Sequence, residues 1–176
     1  MSLAGKLLIA TPKLDDTAFA ETVVLVTDHD THGARGYVLN KPSATTVEDL
    51  FEHLAVSSNG MHYEPVYMAG PVSERHIHMI HSSEWYSSST VPVTTSIAVS
   101  RDGFMFEKMD AGSFPSDWLI TVGYSAWDKG QLENEIERND WLTLPATPEL
   151  VFASKTDKLW DVSVTLCGQQ MIDNYF

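Results

Sequence analysis

The run Val23-Val24-Leu25-Val26-Thr27, followed by Asp30-Thr31-His32-Gly33-Ala34 and then by residues 35–40, constrains this chain more than any other feature. β-Branched side chains pack well on a pleated sheet, and the intervening stretch combines Asp with a glycine able to take positive φ. Residues 22–40 are therefore predicted to form a β-hairpin. Asn40-Lys41-Pro42 closes it, because proline cannot donate to a strand ladder and biases the preceding residue away from helix. Residues 6–11 read as a further strand, so the first part of the chain is strand-rich.

A helix start follows at Thr45, with Glu48 three residues on in capping-box spacing. Val47, Leu50, Phe51 and Leu54 then fall at i, i+3, i+4 and i+7, which predicts one buried stripe. Short extended segments are expected at 65–69, 76–80 and 94–99, and a short helix at 104–109. The serine tract 87–89 with Thr90 reads as a polar connection. The apolar strand 118–124 leads through Ser125-Ala126-Trp127 into a helix with Asp128 as N-cap and Gln131 as its partner. Leu132 and Ile136 are spaced for burial there, and Glu133, Glu135 and Glu137 face outward. Thr147-Pro148 opens a helical turn, and a last helix at 156–167 carries Leu159, Val162 and Leu166, with Gly168 as its stop. Strands that cluster first, with helices inserted and appended, predict an α+β fold with a mixed, mainly antiparallel sheet. At 176 residues and 19.6 kDa, a single domain over 1–176 is expected.

Charge narrows the function classes. Eleven Lys and Arg against 24 Asp and Glu give −13 at neutral pH, and the basic residues are scattered singly. A phosphate backbone is held by clustered Lys and Arg that displace its counterions, so direct nucleic-acid binding is not expected. Cys167 is the lone cysteine, which forbids an internal disulfide and points to a reducing compartment. The apolar run Leu7-Leu8-Ile9-Ala10 stops at Thr11-Pro12, too short for a secretory or membrane segment. A cytoplasmic location without membrane contact follows as the expectation.

The chain carries no phosphate loop, dinucleotide glycine motif, zinc-protease motif, Cys-x-x-Cys or nucleophile elbow. All seven histidines lie between His29 and His81. His76 and His78 would share one strand face and His81 the other, but with too few ligands nearby for a structural zinc, so no metal and no cofactor are expected. Asp28 and Asp30 read as turn-capping residues, and Cys167 as a small core residue. Between Gly123 and Glu133, two glycines, two aromatics and a capped helix imply a tightly specified strand-to-helix junction. Trp127 is read there as a staple between turn and sheet, with ligand stacking as its functional alternative, and Gln131 is a further candidate ligand-binding residue. The free N–H groups at that helix start could hold an anion, but Glu133 and Glu135 would compete with it.

These residues resemble the YqgE/AlgH family of bacterial proteins over nearly the whole chain. The resemblance is carried by Leu7-Leu8-Ile9-Ala10-Thr11-Pro12 with Leu14-Asp15-Asp16 and Phe19, by His29 with Gly33-Ala34-Arg35-Gly36 and Asn40-Lys41-Pro42, and by Gly70-Pro71-Val72 and His81. The block Gly123-Tyr124-Ser125-Ala126-Trp127 through Gly130-Gln131-Leu132-Glu133-Asn134-Glu135-Ile136, with Asn139 and Trp141-Leu142, carries it most specifically. It implies a sheet curled into a partial barrel with helices packed outside, and no established activity. One branch is associated with regulation of alginate synthesis, hence a transcriptional-regulator label, which this chain's charge makes an indirect role. Ala69 stands where the family usually has a second glycine before Pro71, and residues 169–176 lack the Gly-His-Ala ending of many members. The expectation is a non-enzymatic binding or regulatory protein acting through a protein or small-molecule partner. The alternative is an enzyme or small-molecule binder whose cleft gathers His29, Asn40 and His81, one histidine serving as general base.

Overall fold

The computed structural model describes residues 2–57, 60, 62–153 and 156–173. Among the described residues, ten strands build one sheet: β1 (Lys6–Ala10), β2 (Val23–Asp30), β3 (Gly33–Val38), β4 (Pro42–Thr46), β5 (Pro65–Met68), β6 (Val72–Ser82), β7 (Val91–Pro92), β8 (Ile97–Ser100), β9 (Trp118–Asp128) and β10 (Trp141–Pro145). Four α-helices among the described residues accompany it: α1 (Val47–Leu54), α2 (Phe104–Asp110), α3 (Gln131–Glu137) and α4 (Leu159–Asp173). Strand order is β10-β1-β2-β3-β9-β6-β8-β7, all antiparallel. β4 pairs with β5, and β5 runs parallel to β9. The result is an α+β fold whose mainly antiparallel sheet curls into a half-barrel with helices outside.

The β2–β3 hairpin forms as predicted, with a bulge between Val26 and Asp28. Its apolar run is continuous because both faces are covered. Leu7, Ile9, Val23, Leu25 and Tyr37 face the inner core, which α4 closes with Leu159 and Cys167. Leu8, Ala10, Val24 and Val26 face a second core with Trp127, Leu132 and Trp141. A third core sets Val47, Phe51, Met105 and Met109 of α1 and α2 against Met79 and Ile120 of the sheet. Burying a side chain such as Leu25 completely stabilises the fold by ~1.5–3 kcal/mol.

Several boundaries differ from the sequence expectation. The capping box sits one residue later: the Thr46 hydroxyl accepts from Asp49 N, and the Asp49 carboxylate accepts from Thr46 N. Thr46 still pairs with Pro65 in the sheet, so the helix cannot start before Val47. The stripe is shorter than expected, since Leu54 lies exposed just before left-handed Ala55. β6 extends to Val72–Ser82 and β8 begins only at Ile97, because the Thr94 hydroxyl caps a turn over Ser96 and Ile97. β9 runs on through Trp127, since its last residues pair with β3; α3 then starts after left-handed Gly130 without the Asp128 side chain as cap. In α4 the buried positions are Leu159, Ser163 and Cys167 rather than the Val162 stripe, and the helix passes through Gly168 to Asp173. Nothing crowds Gly168, so no contact forces the chain to turn there.

The curl is made at one corner. The front half of β9 pairs with β5 and β6, its last residues with β3, and Gly123 at the junction has φ 70°. Gly70 presses against it: a Cβ on Gly70 would lie 2.3 Å from the Tyr124 carbonyl oxygen, and one on Gly123 would lie 2.5 Å from the Gly70 oxygen. Only glycine allows both the φ and the approach. Ala69, the family departure, is tolerated because it stays in the ladder, its N–H donating to Val122 and its carbonyl accepting from Val38. Gly123→Ala is expected to cost more than ~3 kcal/mol, while Gly103→Ala, whose added methyl meets open space, stays within ~0.5 kcal/mol; urea unfolding of the two variants measures this.

Candidate functional site

The residues singled out from the sequence are held by different partners. His29, at the far end of β2, accepts the Leu3 N–H at Nδ1 (2.9 Å) and contacts the Glu133 carboxylate through Nε2 (2.9 Å), tying the N-terminal segment to α3. Asn40 bridges the base of the hairpin, its Oδ1 accepting from Val23 N (2.9 Å) and its Nδ2 donating to the Glu21 carbonyl (2.8 Å), which steadies Glu21 at φ 53°. His81 is wholly buried: Nδ1 meets the Ser82 carbonyl and Nε2 the Ser100 hydroxyl, both at 2.9 Å, and burial lowers its pKa. These three residues share no hydrogen-bond partner.

Trp127 and Gln131 belong to a clasp. The Glu135 carboxylate accepts both the Trp127 and Trp141 indole N–H groups (2.8 and 2.9 Å) on one oxygen and the Gln131 amide (2.9 Å) on the other. Gln131 also accepts from Asp128 N, and Phe19 packs on both indoles. Glu135 and Glu133, expected to face outward, thus anchor α3 to the sheet. Indole N–H groups are strong donors whose burial is costly without an acceptor, which is what turns Glu135 inward. Of the five sequence candidates, Trp127 alone lines the cleft that follows.

That cleft, about 410 Å³, opens where the hairpin tip, β9 and the end of β8 meet, and Asp28, Asp30, Arg35, Arg101, Tyr124 and Trp127 are among its walls. The Arg35 guanidinium lies 4.5 Å over the Tyr124 ring and forms no ion pair among the described residues. Arg101 pairs with Asp28 through one terminal nitrogen (2.9 Å), and the Asp28 carboxylate also accepts from the Thr27 hydroxyl. Asp30 is occupied by the His32 amide at 2.7 Å, as its turn-capping reading predicts.

Around Arg101, the one of three clustered residues that lines the cleft, buried polar atoms lack partners. Four buried side-chain atoms among the described residues are unsatisfied, and three of them, Tyr37 Oη, His78 Nδ1 and Arg101 Nε, belong to this one cluster; Ser163 Oγ lies elsewhere. The Tyr37 and His78 rings meet edge-on at 5.2 Å. Burial raises the Tyr37 pKa against the opposing pull of Arg101 and Arg35. Burial, then the charges of Arg101, Arg35 and His76, lower His78 to about 4, so it is neutral at pH 7. His76 itself is exposed while His78 is buried, because the register shift between Val72 and Ile77 separates the face they were expected to share.

Arg101 is placed by the serine tract. Partial burial pushes the Asp102 carboxyl upward, but donors from Ser87, Ser89 and Ser88 outweigh it and hold Asp102 well below the usual carboxylate range. The Ser89 hydroxyl also accepts the Arg101 N–H (3.0 Å), so the tract is a clamp as well as a connection. Sequence reasoning missed Arg35, Arg101, Tyr37, His78 and Tyr124 as a group. Its available signal was two arginines in a chain with few cations, one enclosed by Gly33-Ala34 and Gly36 and the other at a strand end.

A half-barrel α+β fold with a mainly antiparallel sheet defines the class of protein. Residues 7–172 match the AlgH-like family model, and the chain belongs to that family. It is 34% identical over 168 residues to a UPF0301 protein of Coxiella burnetii, covering 94% of this chain and 90% of that one. It is 38% identical over 170 residues to a UPF0301 protein of a Jannaschia species, with coverages of 94% and 88%. The solution structure of the AlgH protein from Pseudomonas aeruginosa superposes with a TM-score of 0.78 at 30% identity, covering 94% of this chain and 88% of the other. A Corynebacterium diphtheriae crystal structure shares the fold, with a TM-score of 0.73 at 22% identity and coverages of 90% and 84%.

The neutral His78 makes stability pH-dependent. Below its ordinary pKa of 6.5 the unfolded chain takes up a proton that the folded chain refuses until about pH 4, so stability falls on acidification through that window. By pH 5 the His78 share amounts to ~2 kcal/mol, before most carboxylates begin to titrate. Buried His81 adds to the fall with the same sign. Urea unfolding from pH 7 to pH 5 is expected to show a shallower loss in His78→Gln than in the parent; an unchanged slope would contradict the assignment.

Proposed function

We propose that this protein is a non-enzymatic binding or regulatory protein of the cytoplasm, one domain over 1–176, that receives a small-molecule or protein partner at the Arg35–Arg101 cleft. The observation that carries this reading is a cleft lined by two guanidinium groups, Arg35 without an ion pair among the described residues and Arg101 with an unmatched buried Nε–H. Folded proteins rarely leave such an atom unmatched, and at a cleft it is what a ligand's own polar groups would complete. Guanidinium groups keep their charge at every accessible pH, so they hold a partner rather than exchange protons with it. The family's regulator label then fits an indirect role, since a net charge of −13 opposes contact with DNA.

The enzymatic alternative, a cleft around His29, Asn40 and His81, has weaker support. Both ring nitrogens of each histidine and both polar atoms of Asn40 already have partners within the fold. Among the described residues no helix is long and apolar enough to cross a membrane.

Thermal-shift screening against a metabolite library tests the proposal. A ligand at a hundredfold excess over its Kd adds ~2.7 kcal/mol, a rise in Tm of roughly 5–10 °C for a chain of this size. The expected result is at least one such ligand whose shift disappears in Arg35→Met, with no retention of duplex DNA at physiological salt. Turnover of a stabilising compound, or DNA affinity at that salt, would overturn it.

A further inference from the structure

We infer that the group this cleft receives is an oxyanion, a carboxylate or a phosphate, seated between Arg35 and Arg101. The inference rests on the cleft being the binding site and adds the chemistry of what enters it. Arg35 is the cleft's unpaired cation: Arg101 is matched by Asp28, the remaining carboxylate, Asp30, accepts the His32 amide, and no described carboxylate forms an ion pair with Arg35. Its guanidinium lies 4.5 Å over the Tyr124 ring, a contact that engages its face and not its N–H donors. Arg101 lines the cleft and offers a buried Nε–H without an acceptor, with the buried Tyr37 hydroxyl near its guanidinium. A planar or tetrahedral oxyanion supplies the several acceptors these donors lack, and guanidinium groups recognise it through paired, charge-assisted bonds.

The overall negative charge of the chain does not forbid this. At physiological ionic strength exposed charges are screened beyond ~8 Å, so the distant acidic residues weigh little; within the cleft Asp28 is paired with Arg101, Asp30 accepts the His32 amide, and Arg35 is the cation without an ion pair. A neutral ligand would leave Arg35 unpaired, and a cation would face it directly. The carboxylate and phosphate sources share the same donors and are separated by experiment.

The full-length chain is titrated with inorganic phosphate, with malonate, and with sodium chloride at matched ionic strength, following backbone amide shifts. Saturable shifts at residues 33–36, 101 and 124 with phosphate or malonate but not chloride are expected, and the tighter of the two names the source. Losing one paired charge-assisted contact is expected to weaken binding ~10-fold or more in Arg35→Met, and Arg35→Lys, which keeps the charge without the fork, falls between. Tyr37→Phe separates roles: as a mere buried orphan it would leave affinity unchanged, whereas a ligand-facing donor gives a fold at least as stable that binds more weakly. Shifts equal to those of chloride, or undiminished in Arg35→Met, overturn the oxyanion. If an uncharged library compound then moves the same residues, only the oxyanion fails; if no compound moves them, the binding reading fails with it.

Discussion

The contact between Gly70 and Gly123 governs how this sheet closes. A strand of eleven residues cannot pair with β5 and β6 in one half and with β3 in the other without turning, and β9 turns where two backbones meet at distances no side chain tolerates. Everything near the cleft is referred to that turn. Tyr124 follows Gly123 directly and carries Arg35 on its ring; His78 and Tyr37 lie on the strands to either side; and Trp127, further along β9, reaches the Glu135 clasp. A curl set by backbone contact also fixes where the polar groups end up, which side-chain packing alone would do less sharply.

Much of the fold was legible because it is local. The hairpin of β2 and β3 announces itself through a β-branched run and a turn of Asp and Gly, and the helix at Phe104–Asp110 forms where residues 104–109 read as a helical candidate. Errors arose where a distant partner overrode a local signal. Thr45 looked like an N-cap, but pairing to β5 carries the strand one residue further; Ser125-Ala126-Trp127 looked like a junction, but β3 holds it in the sheet. Gly168 looked like a stop, yet the local preference of glycine is worth only about 1 kcal/mol and α4 continues past it.

The candidate site was less legible for the same reason. Its charged and unpartnered groups come from β2, β3, β6, β9 and the residue after β8, and their meeting is a property of the curled sheet. Histidine content drew attention to His29 and His81, whereas both are bound into the framework, and His78 is buried with an unmatched Nδ1. Glu133 and Glu135, read as a solvated face, hold α3 to the sheet instead. A serine tract that looks like filler clamps Asp102 and sets the position of Arg101.

The most direct measurement is made on Gly70→Ala, by combining amide hydrogen exchange with the ring-current shift that Tyr124 imposes on the Arg35 side chain. If the corner shapes both sheet and cleft, protection across β3 and the second half of β9 and the Arg35 shift are lost together, while the β1–β10 pairing keeps its protection. A variant with the exchange pattern and Arg35 shift of the parent would show that the curl, and the cleft beside it, do not depend on that contact.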